Sequence, residues 1–315
     1  MEPIQDFSSL VSRLRSMKER KRVAVVCPND PHTEYVILRS LKEGFADFLL
    51  VADTPHILNA EYIRQQYPDH VKVFEASSPD VAAQEGVLLV REGHADVLMK
   101  GIINTDNLLR AVLNKDHGLL PKGNVLSHIT VAQIPTYNKL LFFSDAAVIP
   151  NPQLNHLDAM IRYNVDVCRK MGIDTPRVAL IHCTEKVNEK FPFTLDYVTL
   201  KERAAAGEYG EMFLDGPMDA KTACDAHSGE VKGINSPVVG HADMGMPIWS
   251  SSRTSLLPIR STRRFLYLAM RTWPVCFKEL RLRWSFLHVP IRVTRNSIVW
   301  HLPVFVVILR NKCNI

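Results

Sequence analysis

Residues 247–315 of this 315-residue chain contain no glycine and only one acidic residue, Glu279, although the whole chain has 14 glycines and 33 acidic residues. The same segment holds twelve Lys and Arg residues and all four tryptophans. The chain before it therefore carries a net negative charge, while the overall formal charge is +5. A composition break this abrupt, near residue 246, requires a cause.

Other absences narrow the class of protein. The six cysteines are scattered without a C-x-x-C pair, which argues against a zinc site and a disulfide framework and indicates a reducing, cytoplasmic compartment. The first residues show no signal-peptide pattern, and the longest apolar run, Val304–Leu309, is too short to span a bilayer. There is no Walker loop, G-x-G-x-x-G, H-E-x-x-H or G-x-S-x-G pattern. We expect neither a metal site nor a membrane partner.

Apolar runs and helical patterns alternate from residue 23 onward. Val23–Val26 and Leu140–Phe143 are the continuous apolar runs of strands buried on both faces. This alternation predicts an α/β fold with mainly parallel sheets and a ligand site at the carboxyl ends of the strands. Pro150 and Pro152 interrupt the chain. We therefore predict a first α/β domain over 1–150, an incomplete second one over 151–246, and an aberrant tail over 247–315.

The segment from Ala95 to Thr105 has the pattern of a strand, a turn and a helix start. An apolar strand leads into Lys100 and Gly101, and Asn104 and Thr105 then open an amphipathic helix. Glycine permits a close backbone approach, and the free N–H groups and dipole of a helix start favour an anion. An ordinary strand–turn–helix whose lysine faces water explains the pattern equally well. Asp30 and Thr33, after the first strand, are interpreted as helix caps.

A second polar feature is the Ser127-His128 pair, which interrupts an otherwise apolar run. A polar pair among apolar residues is costly unless it is hydrogen-bonded, so the pair either satisfies a neighbour or faces a site. Asp145 directly follows the buried run that begins at Leu140.

Six segments resemble, in order, the phosphate acetyltransferase/butyryltransferase family, its butyryltransferases most closely. They are MKGIINTDNLLRAVL, LSHITVAQIP, KLLFFSDAAVIPNP, VALIHCTEKVN, DGPMDAKTACD and VKGINSPVVG. The resemblance implies two α/β domains with an active site in the cleft between them. It implies exchange of coenzyme A and phosphate on a short acyl group, so the partners are an acyl-CoA and phosphate, without a metal or organic cofactor. It also implies a homo-oligomer. From the residues themselves we expect neither nucleic acid nor a membrane as a partner.

The resemblance also assigns site residues. It implies that Ser127 and His128 are catalytic and that the substrates are bound by Lys100, Gly101, Thr105, Asp145, Asp215 and Lys232. For the last three of these, structural roles remain equally open. The chain departs from the family at His182 or Cys183, where the family usually has a small polar residue.

The family's remaining motifs, P-D-I-x-A-x-N-x-x-Y-K and S-R-x-D-S, are missing after residue 246. A neighbouring reading frame can supply them: Arg253–Phe265, read one base earlier, can encode D-I-A-A-A-N-P-F-Y-K-T-I. We interpret 247–315 as a frameshifted tail with the slip near 244–247. A nucleic-acid-binding tail would explain the basic charge but not the missing glycines.

Three functions therefore remain open. The first is a phosphate butyryltransferase, with phosphate acetyltransferase as the alternative within the class. The second is a catalytically impaired remnant of such an enzyme, and the third is a nucleic-acid-binding protein.

Overall fold

The computed structural model describes residues 2–52, 60–134, 137–145, 148–149, 151–246, 293–294 and 297–298. These residues group into two compact units. The first unit is built from residues 10–124, and the second from residues 2–9 and 125–246.

The first unit is a four-stranded parallel sheet with helices on both faces. Its strands, in the order β3-β2-β1-β4, are β1 (Lys21–Val26), β2 (Ala46–Ala52), β3 (Val71–Glu75) and β4 (Val97–Lys100). Its helices are α1 (Phe7–Arg15), which begins in the second unit, α2 (Pro31–Glu43), α3 (Ala60–Gln66), α4 (Pro79–Arg91) and α5 (Thr105–Val112). The predicted alternation of strands and helices is confirmed.

Burial on both faces explains why the strands of this sheet are apolar throughout. In β1, Val25 packs on one face with Ile37 of α2 and Ile63 of α3. Val26 packs on the opposite face with Val87 of α4 and Leu108 of α5. Strands covered on both sides have no solvated face on which polar residues would alternate.

The second unit contains a five-stranded mixed sheet in the order β5-β6-β9-β7-β8. Its strands are β5 (Ile129–Gln133), β6 (Leu140–Ser144), β7 (Arg177–Ile181), β8 (Phe213–Met218) and β9 (Met244–Met246). Its helices are α6 (Leu154–Lys170), α7 (Phe193–Ala205), α8 (Ala220–Cys224) and α9 (Ala226–Lys232). Strand β5 is antiparallel to β6, and the other pairs are parallel.

The observed division of the chain lies between Asn124 and Val125 rather than near residue 150. Strands β5 and β6 precede Pro150, yet β6 is hydrogen-bonded in parallel to β9 and therefore belongs to the sheet of the later residues. The first residues also join this unit, since the Ile4 N–H donates to the carbonyl of Met171. Residues 247–315, the predicted tail, lie outside the described residues except for two short antiparallel strands, β10 (Val293–Thr294) and β11 (Ser297–Ile298).

Candidate functional site

The predicted strand–turn–helix of the first unit is present at the carboxyl end of its sheet. Strand β4 ends at Lys100, and Asn104 caps α5 by accepting a hydrogen bond from the Asp106 N–H at 3.1 Å. A Cβ atom added to Gly101 would overlap the Cys27 carbonyl oxygen and come within 2.8 Å of the Val26 oxygen. The backbone that follows the neighbouring strand therefore requires a glycine here. The sequence interpretation had explained the same glycine by the close approach of a ligand.

Lys100 is half-buried and has few partners of its own. Its Nζ donates to the Gly101 carbonyl oxygen at 3.3 Å, and within the described chain no carboxylate lies within ion-pair distance of it. Burial lowers the pKa of Lys100, and the more distant negative charge of Asp30 partly opposes this shift. A poorly solvated cation without a counterion attracts anions.

Two buried polar atoms near the same sheet edge have no hydrogen-bond partner among the described residues. They are Oδ1 of Asn29, which follows β1, and Oγ1 of Thr105, the first residue of α5. Strands β1 and β4 are neighbours, with Val26 opposite Lys100, so both residues follow strand ends that lie side by side. A hydroxyl and an amide oxygen left unpaired in this way are suited to polar groups of a ligand. Cys27 adds a left-handed backbone with φ of 52°, unusual for a residue other than glycine.

The capping interpretation of Asp30 is confirmed. Its carboxylate accepts hydrogen bonds from the backbone N–H groups of His32 and Thr33, each at 3.0 Å, and from the Thr33 hydroxyl at 2.6 Å. Asp30 is thus occupied in starting α2 and contributes to the Lys100 environment only through its charge.

In the second unit, Ser127, His128, Ser144 and Asp145 form one hydrogen-bonded group, called here the Ser127 cluster. The Ser127 hydroxyl lies 3.3 Å from the Asp145 carboxylate and 3.3 Å from the Ser144 hydroxyl. The same carboxylate oxygen accepts the His128 backbone N–H at 3.1 Å, and its other oxygen accepts the Val148 N–H at 2.8 Å. Asp145 is fully buried and fixes the segment that carries Ser127 and His128.

Strand direction explains why these residues meet. Ser127 and His128 precede β5, whereas Ser144 and Asp145 end β6, and Ile129 lies opposite Ser144 in the antiparallel pair. The Ser-His pair thus stands just outside the strand, at the edge where the parallel strands end. Ser144 was not recognised from the sequence. Its position at the end of a fully buried strand, beside Asp145, was the available signal.

The His128 ring is the least satisfied group of the cluster. The residue is 7% exposed, and its buried Nδ1 atom has no hydrogen-bond partner in the part of the chain that the structure describes. Burial lowers the pKa of His128 from its ordinary value, although the Asp145 charge works in the opposite direction. Burial therefore favours the neutral imidazole, the form that accepts a proton.

The two remaining predicted residues are engaged in ion pairs. The Lys232 ammonium lies 2.5 Å from Glu185 and 2.7 Å from Asp219, and it also donates to the Thr222 hydroxyl at 3.0 Å. The Asp215 carboxylate lies 2.6 Å from the Lys201 ammonium. These contacts favour the structural role that the sequence left open for both residues.

His182, where the chain departs from the family pattern, also lies at the carboxyl edge of the second sheet. It follows β7, is 8% exposed, and accepts the Thr184 N–H at Nδ1. The rings of Phe191 and Tyr197 meet it edge-on, with centroids 5.3 and 6.5 Å away. Burial lowers the pKa of His182.

Residues 71–251 match the family model described as phosphate acetyl/butaryl transferase. The chain belongs to this family. The family match ends at residue 251, a few residues beyond the composition break, which is consistent with the reading-frame interpretation.

Curated relatives extend the similarity beyond the family model. The chain is 34% identical over 244 residues to phosphate butyryltransferase of Clostridium acetobutylicum, covering 76% of this chain and 79% of the relative. It is 34% identical over 241 residues to phosphate butyryltransferase of Clostridium beijerinckii, with the same coverage. It is 30% identical over 226 residues to phosphate acetyltransferase of Thermotoga maritima, covering 71% of this chain and 76% of the relative.

Solved structures agree in fold. A branched-chain phosphotransacylase from Enterococcus faecalis superposes with a TM-score of 0.64 at 25% identity, covering 80% of this chain and 84% of its own. A phosphotransacetylase from Streptococcus pyogenes gives a TM-score of 0.65 at 17% identity, covering 85% and 87%. Among the residues described here, no helix is long and apolar enough to cross a bilayer, and no group of three or more His, Cys, Asp or Glu residues is placed to hold a metal.

Proposed function

We propose that this chain is an acyltransferase that converts butanoyl-CoA and phosphate into butanoyl phosphate and coenzyme A. Membership of the family supports the class of reaction, which is acyl transfer between coenzyme A and phosphate. The butanoyl group is favoured because the identity is 34% to two butyryltransferases and 30% to the acetyltransferases of Rhizobium meliloti and Thermotoga maritima. Phosphate acetyltransferase is the alternative within the class.

In this reaction a phosphate oxygen attacks the thioester carbon, and the carbon–sulfur bond breaks as the carbon–oxygen bond forms. Hydrogen phosphate loses a proton, and the departing thiolate gains one. We assign this transfer to the Ser127 cluster, because the neutral His128 has a free Nδ1 and Asp145 accepts the Ser127 hydroxyl. We assign the binding of a phosphate group to Lys100, Thr105 and the first N–H groups of α5, with Gly101 shaping the turn.

The second candidate is a catalytically impaired remnant of such an enzyme. It is favoured by one observation: the family match ends at residue 251, and the later family motifs are missing from the chain. An arginine paired with phosphate and a Ser/Asp pair would be lost with those motifs.

An assay of the 315-residue protein separates these functions. Purified protein is given phosphate with butanoyl-CoA or acetyl-CoA, and acyl phosphate is trapped as its hydroxamate. We expect butanoyl phosphate to form with the higher kcat/KM. A higher kcat/KM for acetyl-CoA would identify an acetyltransferase. Absence of acyl phosphate with either substrate, from a folded protein, would identify the remnant.

Location and assembly belong to the same proposal. A cytoplasmic location is supported by the cysteines, since the four in the described residues, Cys27, Cys168, Cys183 and Cys224, are free thiols. A homo-oligomer is implied by the family resemblance. Cell fractionation and light scattering coupled to gel filtration test the two points.

A further inference from the structure

Lys100 is unlike the other partly buried lysines of the described chain. Three lysines are partly buried: Lys100, Lys139 and Lys201. Lys139 lies 2.5 Å from the Asp243 carboxylate, and Lys201 lies 2.6 Å from that of Asp215. Among the described residues, the only hydrogen-bond partner of the Lys100 amine is the Gly101 carbonyl oxygen, at 3.3 Å. Its amine therefore has neither a counterion to hold its proton nor full hydration to stabilise the charge.

This environment makes Lys100 a better nucleophile than an ion-paired lysine. A lysine attacks through its neutral amine, and burial lowers the pKa of Lys100 and so increases the neutral fraction. Lys232 shows the opposite case: although burial acts to lower its pKa, hydrogen bonds to Asp219 and Glu185 raise it overall. The two lysines form a matched pair within one chain.

We propose that Lys100 is a site of covalent acylation by acyl phosphates, the product class of the proposed function, on which this inference rests. The neutral Nζ attacks the carbonyl carbon, and a carbon–nitrogen bond forms as the bond between carbon and the phosphate oxygen breaks. Phosphate leaves with that electron pair, and the extra proton on nitrogen passes to water. The resulting acyl-lysine is uncharged.

The consequence is inhibition by the accumulated product. Removal of the Lys100 charge removes the cation of the candidate phosphate-binding turn, as acylation of a lysine does in general. Thr105 and the N–H groups of α5 would remain, so the modified protein should bind phosphate more weakly rather than not at all.

The test supplies the acyl phosphate directly. The full 315-residue protein is incubated with synthetic butanoyl phosphate, without coenzyme A, and acylation at each lysine is followed by peptide mass spectrometry. We expect Lys100 to be acylated at least tenfold faster than Lys139, Lys201 and Lys232, and its rate to level off at a lower pH than that of Lys232. In 8 M urea the preference should disappear.

Equal rates for these four lysines in the folded protein, or a preference for Lys100 that persists in urea, would overturn the inference. Because the reagent is supplied, the outcome does not depend on turnover. Selective labelling without acyl phosphate formation in the assay would support the acylation site and contradict the proposed function. Turnover without selective labelling would support the proposed function and contradict the acylation site.

Discussion

Gly101 lies directly against the backbone of Cys27, with its N–H bonded to the Val26 carbonyl at 2.8 Å and the next N–H, of Ile102, bonded to the Cys27 carbonyl at 2.8 Å. A Cβ on residue 101 would come within 2.7 Å of the Cys27 carbonyl carbon. The turn that carries Lys100 is therefore held to the adjacent strand by backbone contacts that exclude a side chain.

Gly101→Ala should destabilise the protein by about 2–3 kcal/mol, because backbone atoms of two strands must separate to admit a methyl group. Urea unfolding measures the loss. Gly123→Ala is the control within the same unit: its φ is +86°, but open space surrounds the new methyl, so we expect only about 1 kcal/mol from backbone strain. Equal losses for the two variants would contradict the close contact at Gly101.

Replacement of Lys100 and of Lys232 should have different effects on phosphate binding. Lys100→Met should raise the KM for phosphate about tenfold or more, because the unpaired cation is lost. Lys232→Met should leave that KM within about twofold and change stability by about 1 kcal/mol or less, since its charge is already shared by Glu185 and Asp219 and its side chain is 33% exposed. A tenfold rise in the KM for phosphate in Lys232→Met, without such a rise in Lys100→Met, would show that Lys232 binds phosphate and Lys100 does not.

The sequence predicted the parts of this fold that depend on local pattern. Continuous apolar runs predicted the buried parallel strands. The polar residues Asn104 and Thr105, shortly after Gly101, predicted the start of α5. The antiparallel direction of β5 was not predictable, because an apolar run carries no information on strand direction. The division at Asn124 was missed because Pro150 breaks the chain locally without ending a sheet.

Within the candidate site, residue identity was easier to predict than residue role. Ser127 and Asp145 were recognised as polar residues at strand ends, but their mutual contact depends on the antiparallel pairing of β5 with β6. The engagement of Lys232 depends on contacts with Glu185 and Asp219, which come from separate segments. No local spacing indicates such contacts.

Ser127 and Asp145 should act as one unit in catalysis. Ser127→Ala and Asp145→Asn should each lower kcat about 10- to 100-fold, and the double variant should lose little more, because each change breaks the same contact. Steady-state kinetics of the two single variants and the double variant measures this coupling.

Asp215→Asn combined with Ser127→Ala is the matched control for that coupling. Asp215 is paired with Lys201, and among the described residues no hydrogen bond or ion pair joins it to the cluster, so the two effects should combine additively in free energy. Additive losses for Ser127→Ala and Asp145→Asn would show that their contact is not used in catalysis.

Stability should decrease as pH falls through 6.5. Burial holds the pKa of both His128 and His182 below 6.5, so the unfolded chain binds more protons than the folded one just below that pH. Each unit of pKa difference is worth about 1.4 kcal/mol, fully present above pH 6.5 and lost as pH falls toward the folded values. Asp215 and Asp219, whose pKa values are lowered, lose their contribution only below about pH 4.

Urea unfolding at pH 5.0 and pH 7.5 measures this difference. His182→Gln should reduce the change between the two pH values, because the variant has no imidazole to protonate at this buried position. An unchanged pH dependence in His182→Gln would show that the burial of this ring does not control its protonation.

The last prediction concerns the reading frame at the end of the gene. If 247–315 are frameshifted, inserting one base near codons 244–247 should restore a protein with the N-x-x-Y-K and S-R-x-D-S motifs. By the family resemblance, these motifs would supply an arginine for phosphate or coenzyme A and a Ser/Asp pair for protons. Such groups are each worth about 10²- to 10⁴-fold in rate. We therefore expect the restored protein to form acyl phosphate at least 100-fold faster than the 315-residue protein, with the hydroxamate assay as the measurement. Equal rates for the two proteins would show that residues 247–315 already supply what the reaction needs, and the composition break at residue 246 would then have to be explained by a function of the tail itself.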